Sequence, residues 1–256
     1  ASLLLLGAFS GFIAGLLGVG GGLIMVPVLL YLLAGQIDQA ILMHTAVGTA
    51  LAAIVFTSLS SVRAHHQQDA IHWHYFKKLT PTILLGAFCG ALLTQLMSFD
   101  FMRLFFAIFE LIVAAIIFFG LSSSRHIDHL ANWAWRLTGY IIGLISAIVG
   151  IGGGTMTTPF LTYNNVNIKN AIATSAAVGL PIAIAGVLGF IVAGLSIKPG
   201  TTSLGFIHTQ ALISIVVMSV VFAPLGAKVA HRTDGKKLKK FFALFLAFLG
   251  ISVLVF

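Results

Sequence analysis

Apolar residues run along this chain in ten blocks, separated by short polar or glycine-rich intervals. The blocks cover residues 3–17, 23–34, 40–62, 77–97 and 102–121, then 134–149, 155–163, 170–194, 208–230 and 238–256. The strong ones are about long enough to cross a hydrocarbon core of roughly 30 Å as helices. The expected fold is therefore an all-α integral membrane protein. Blocks 23–34 and 155–163 are exceptions, because at 1.5 Å per residue they reach only about 18 and 14 Å. Each must pair with the block before it, either as a re-entrant hairpin or as one broken helix.

Basic residues decide between the two. If each pair is a hairpin that returns to its starting side, twelve basic residues share one side: Arg63, Lys77, Lys78, Arg125, Arg136, Lys169, Lys228, Arg232, Lys236, Lys237, Lys239 and Lys240. Only Arg103 and Lys198 then lie opposite. If each pair is a single broken crossing, the split is eight to six. The positive-inside rule favours the hairpins. That choice gives the two halves of the chain opposite orientations, the inverted-repeat plan of many secondary transporters.

The halves also match in sequence. Residues 18–27 read GVGGGLIMVP and residues 150–159 read GIGGGTMTTP. Gly18, Gly20, Gly21, Gly22 and Pro27 recur as Gly150, Gly152, Gly153, Gly154 and Pro159. Gly11 pairs with Gly143, Tyr31 with Tyr163, and Ala46-Val47-Gly48 with Ala177-Val178-Gly179. Ile71-His72 pairs with Ile207-His208, Gly90-Ala91 with Gly226-Ala227, and Phe105-Phe106-Ala107 with Phe241-Phe242-Ala243. The order is kept throughout, so the chain reads as a first repeat over 1–121, a cytoplasmic linker over 122–133 and a second repeat over 134–256.

Composition agrees. Hydrophobic residues make up 59% of the chain, charged residues 8%, and mean hydropathy is +1.09, so lipid must cover much of the surface. The net charge of +8 sits in short loops between apolar blocks, which excludes a nucleic-acid reading in favour of membrane topology. Cys89 is the only cysteine, so no intrachain disulfide forms. The chain begins at Ala1 without methionine, so some N-terminal residues are expected to be missing. The first apolar run leads straight into further membrane sequence, which argues against a signal peptide.

The glycine runs carry the candidate chemistry. Glycine tolerates positive φ and lets other backbone approach closely. Broken backbone at membrane depth persists only where protein or water satisfies it. A helix starting near Leu23 and another near Thr155 would present free N–H groups and positive dipole ends from opposite sides, a setting for an anion. The candidate substrate-binding residues are Gly18, Gly20, Gly21, Gly22, Leu23, His44 and Thr45 from the first half. Gly150, Gly152, Gly153, Gly154, Thr155, Thr174 and Ser175 are the candidates from the second. Thr49, Thr157 and Thr158 could add hydroxyl donors. The competing explanation is close helix packing through small residues. A dinucleotide site is excluded, since no βαβ context surrounds the glycines.

The paired G-x-G-G-G-x-x-x-x-P motifs, the repeat spacing and the length resemble the sulfite exporter TauE/SafE family, also called TSUP, over essentially the whole chain. The resemblance implies a multi-pass protein of the bacterial inner membrane that moves sulfite, sulfonates, sulfoacetate or related anions.

Other polar residues are weighed against ordinary roles. Glu110 stands alone in FFAIFELIVAAIIFF, and its repeat partner is Leu246. It is a candidate for proton coupling, against a buried structural carboxylate. His44, whose partner is Ser175, is expected beside the site as a proton carrier or ligand, against a plain helix-end histidine. His65, His66, His72 and His74 show no diagnostic metal spacing. Lys236, Lys237, Lys239 and Lys240 read as a topology anchor in contact with anionic lipid. Asn164, Asn165 and Asn170 read as helix caps. The expectation is a secondary transporter of a small anion working by alternating access, with no cofactor, no metal and no nucleic acid, and with a homo-oligomer left open. The alternatives are an anion channel of the same architecture and a membrane-embedded enzyme, for which no polar constellation is present.

Overall fold

The structure, a computed structural model, describes residues 2–17, 20–120, 131–195, 203–230 and 236–256. Gly18, Arg125, Lys198, Arg232 and most of the linker 122–133 lie outside them. Among the described residues are ten α-helices and one small hairpin. The first five helices are α1 (Ser2–Leu17), α2 (Gly22–Leu33), α3 (Gln39–His66), α4 (Trp73–Leu93) and α5 (Phe99–Phe119). The next five are α6 (Asn132–Val149), α7 (Gly154–Tyr163), α8 (Ile168–Gly194), α9 (Thr209–Ala230) and α10 (Lys236–Val255). Strands β1 (Ser203–Leu204) and β2 (Ile207–His208) pair antiparallel just before α9.

Every apolar block becomes a helix. The ends differ most where a block was closed at its first charge: α3 runs on to His66 and α4 begins at Trp73, because helices project past the apolar stretch. Asp38, Ser98 and Asn167 cap the starts of α3, α5 and α8 with side-chain oxygens that accept from backbone N–H groups. Helices α3, α4, α5, α8 and α9 are long and apolar enough to cross a membrane, and the protein is multi-pass. The hairpin β1–β2 has no counterpart in the expected elements.

Which residues meet fixes the helix directions. A Cβ added at Gly7 would strike Ile215, and one at Gly11 would strike Ser219, so α1 and α9 run parallel. Gly139 lies likewise on Leu79, and Gly143 on Ile83, so α6 and α4 run parallel. Gly11 and Gly143 occupy matching positions, as do Ser219 and Ile83, so the same contact is made twice. The His208 N–H donates to Thr49 Oγ1 at 2.9 Å and Ser60 Oγ donates to the Val220 carbonyl at 3.1 Å, which makes α9 parallel to α3. The His72 N–H donates to Thr174 Oγ1 at 2.9 Å and Gln95 Nε2 donates to the Ala193 carbonyl at 2.6 Å, which makes α4 parallel to α8.

Helices α3 and α8 cross at the centre in opposite directions, with Gly48 on Phe190, Leu51 on Gly186 and Ser58 on Gly179. Helix α2 runs against α3, since Val26 and Val47 both meet Gly150 while Gly20 meets Ile54. Helix α7 runs against α8, with Gly153 on Val178 and Ile182. Therefore α1–α2 is a hairpin whose first arm follows α3, and α6–α7 is a hairpin whose first arm follows α8. The two hairpins enter the bundle from opposite ends. Helices α5 and α10 pair antiparallel, with Phe99 beside Phe256 and Lys240 beside Phe118.

Candidate functional site

The hairpin tips meet. Gly20 and Gly21 hold φ of +80° and +78°, which an L side chain rarely adopts, and this lets the chain reverse before α2 begins. The N–H groups of Ile24 and Met25 donate to the Gly21 carbonyl, at 3.1 and 3.0 Å. The amides of Gly22 and Leu23 precede that first bond, as helix-starting amides do. On the second tip, Gly150 closes α6 with φ +79°, and the Thr157 N–H donates to the Gly153 carbonyl at 2.8 Å. A Cβ on Gly20 would stand 2.9 Å from the Gly152 Cα, and one on Gly22 would strike the Gly150 carbonyl. Contact between the halves here is main chain on main chain.

Beside the tips lies a recess of about 10 Å³, the room of roughly one water. Its walls are Ala14 of α1, Gly20, Gly152 and Gly153 of the tips, Thr57, Ser58 and Ser61 of α3, and Ala176 and Gly179 of α8. The Ser61 Oγ is buried with no hydrogen-bond partner. So is the Thr157 Oγ1, which lies 3.1 Å from where a Gly153 Cβ would stand. The side-chain oxygens of Ser146 and Thr155 are also buried and unpartnered. Unpaired hydroxyls inside a protein are costly, and each calls for an explanation.

Of the expected site residues, Gly20, Gly152 and Gly153 line the recess. Gly21, Gly22, Leu23, Gly150 and Gly154 are buried in the tips that shape it. The five polar residues, His44, Thr45, Thr155, Thr174 and Ser175, do not line it. Thr45 Oγ1 donates to the Ile41 carbonyl at 2.9 Å, within its own helix. Thr174 accepts from the His72 amide. Ser175 Oγ donates to the Ile172 carbonyl at 3.0 Å, so the 2.6 Å bond between Thr158 and Ser175 is donated by Thr158. His44 stands about 20 Å along α3 from Ser58, at fourteen residues' separation. Its Nε2 is 2.8 Å from the Thr94 carbonyl, and its ring stacks on Phe206 at 5.0 Å. That pairing ties α3 to the end of α4 and to the β1–β2 hairpin.

Glu110 is buried at 0% exposure, and neither carboxylate oxygen has a partner. Leu246, its repeat partner, is equally buried on α10. Among the described residues no group of histidine, cysteine and carboxylate side chains is placed to hold a metal. The signal for Thr57, Ser58 and Ser61 was present in the run Thr57-Ser58-Leu59-Ser60-Ser61, four hydroxyls in five residues at the end of an apolar stretch.

Comparison with known proteins gives the family. The family model for the sulfite exporter TauE/SafE matches residues 3–253. A probable membrane transporter protein of Haemophilus influenzae is 36% identical, covering 98% of this chain and 96% of its own. Probable membrane transporter proteins of Methanocaldococcus jannaschii and Bacillus subtilis are each 26% identical, over 99% and 95% of this chain and 94% and 96% of theirs. No solved structure matches. A bundle with two opposed glycine-tipped hairpins, matched by one family model over nearly its whole length, belongs to the TauE/SafE family of membrane transporters.

Proposed function

We propose that this transporter moves a small anion of the sulfite or sulfonate type across the inner membrane by alternating access of two inverted repeats, 1–121 and 134–256. The substrate is held at the paired tips, by the free amides that begin α2 and α7 and by the hydroxyls around them. One observation carries this reading: two hairpins from opposite ends of the bundle meet at glycine, beside a recess whose polar lining is all neutral hydroxyl and backbone. Helix N-termini and hydroxyls are donors, and donors without acidic neighbours favour an anion over a cation. The absence of a basic side chain from the lining suits a carrier, because a site that binds must also release. The opposed helix directions of α3 and α8, and of α5 and α10, support the inverted arrangement. The sulfur-oxyanion class follows the description of the family model.

The test is sulfite flux into proteoliposomes with Gly153→Val. Added methyls at this site would press on Ile182, Thr157 and Val178, each 3.1 Å from the first carbon. Flux is expected to fall more than tenfold while membrane insertion is kept. Wild-type flux at normal expression would overturn the proposal.

A further inference from the structure

The loop between α3 and α4 holds one apolar side chain among polar ones. Gln67, Gln68, Asp69 and His72 are exposed, while Ile71 is buried against Ala173 and Ala177 of α8, with Val62 of α3 packed beside it. Asp69 takes a left-handed turn at φ +48°, and the Ala70 N–H donates to the His65 carbonyl at 3.3 Å, which folds the chain back over the bundle. Side chains of α8 then hold the main chain on either side of Ile71. Asn170 Nδ2 donates to the Ala70 carbonyl at 3.1 Å, and Thr174 Oγ1 accepts from the His72 N–H at 2.9 Å. Asn170 and Thr174 are one turn apart on α8, so the two bonds fix Ile71 over Ala173 and Ala177.

This cluster adjoins the recess. Ala177 follows Ala176 and Val62 follows Ser61, and both Ala176 and Ser61 are walls of the recess. Helix α3 passes Ile54 at the tips, then Thr57, Ser58 and Ser61, and then reaches the loop of Ile71. The recess therefore lies between the Gly20–Gly152 contact and Ile71. The opposite end is closed differently. Ile207-His208, the repeat partner of Ile71-His72, also gives a histidine N–H to a threonine of the facing central helix, Thr49. In the register that pairs Ala46 with Ala177, Thr174 matches Met43, six residues short of Thr49. This second loop is therefore seated about 9 Å deeper. It brings in Phe206, buried with its ring 5.0 Å from His44 and 6.3 Å from Phe190. A Cβ on Gly48 would stand 2.6 Å from the Phe206 carbonyl oxygen, so main chain closes this end as well.

Resting on the alternating-access reading above, we infer that Ile71 is the inner gate of this transporter: withdrawal of the 67–72 loop opens the recess to the cytoplasmic end, while Phe206 and Ile207 keep the other end shut. The packing favours that order. Opening the inner end exposes one isoleucine and frees two hydrogen bonds whose groups water can satisfy. Opening the outer end must unstack Phe206 and part close-packed main chain. Thr174 is then a positioning residue, acting on the gate through the His72 amide.

The test is one-sided labelling of a single cysteine in the recess. Ser61→Cys is placed in a Cys89→Ser background, in vesicles of known orientation, and a charged, membrane-impermeant methanethiosulfonate is added to one face at a time. With Ile71→Ala added, the labelling rate from the cytoplasmic face is expected to rise at least tenfold, and the rate from the other face to stay unchanged. Thr174→Val keeps the isoleucine and removes one tie of the loop, and a smaller rise on the same face is expected, so the test stands even where Ile71→Ala folds poorly. Ile207→Ala should leave the cytoplasmic rate unaltered. Melting curves establish that each labelled variant is folded. Unchanged labelling in the folded variants overturns the inference, and so does an equal rise from both faces, the mark of general loosening. Labelling needs no substrate and is scored apart from sulfite flux: a one-sided rise in a protein that carries no sulfite supports the gate and overturns the sulfite reading.

Discussion

The carbonyl oxygen of Gly150 occupies the place where a Cβ of Gly22 would stand. Neither partner is a flexible side chain, so neither can yield without moving a helix start. Gly22→Ala is therefore expected to cost more than the 1–3 kcal/mol of ordinary overpacking, and to abolish transport. Gly35→Ala is the control. Its φ is +75° but nothing lies within 4 Å, so only backbone strain of about 1–2 kcal/mol applies and flux is retained. Thermal melts of both purified variants, with flux per folded protein, check the contrast.

His44→Ala is expected to lower stability by about 2–4 kcal/mol, through a lost hydrogen bond to Thr94 and lost packing on Phe206. Because His44 lies far from the recess, flux per folded molecule should fall less than with Gly153→Val. His44→Gln, whose amide can still donate to that carbonyl, should recover part of the stability. A melt on each variant reads the first effect, and flux normalised to folded protein reads the second.

Glu110 and Leu246 give a paired experiment. A carboxyl buried without a partner is destabilising, and the matching position already holds leucine. Glu110→Leu is expected to stabilise the protein by about 1–3 kcal/mol. Glu110→Gln is expected to leave the pH profile of flux unaltered. A flattened profile in Glu110→Gln, with binding intact, would instead assign proton coupling to Glu110.

Topology can be read from single cysteines placed in a Cys89→Ser background. The His72–Thr174 and Asn170–Ala70 bonds put the end of α3 beside the start of α8. Cysteines at Gln68 and Asn165 should then label from one side, and those at Gln36 and Met97 from the other. The twelve-to-two distribution of basic residues makes the first side the cytoplasm. The loop at 231–240 should label with that side too, and periplasmic labelling there would return the eight-span arrangement.

Much of this was legible in the chain because membrane helices declare themselves by apolar length, and because the repeat lets one half check the other. The short blocks 23–34 and 155–163 could be read as hairpin arms from length and charge alone. What could not be read is which polar side chains face the tips. His44 and Ser60 stand on the same helix as Ser61, yet His44 bonds to the end of α4 and Ser60 to α9. Rotation about a helix axis decides this, and in α3 that rotation is set by contacts with α8 and α9, far away in sequence. The hairpin β1–β2 was missed because two residues per strand leave no periodicity to detect.

The main-chain contact between Gly20 and Gly152 bears on energy conservation in the cell. Side chains that seal a pore flicker between rotamers and let water through in the intervals. Two backbones in contact have no such freedom, so the closed tips are expected to interrupt a file of water between the two faces. Each elementary charge that leaks across 100 mV dissipates about 2.3 kcal/mol. A membrane holding many copies of this protein is then expected to keep its proton gradient while they sit idle.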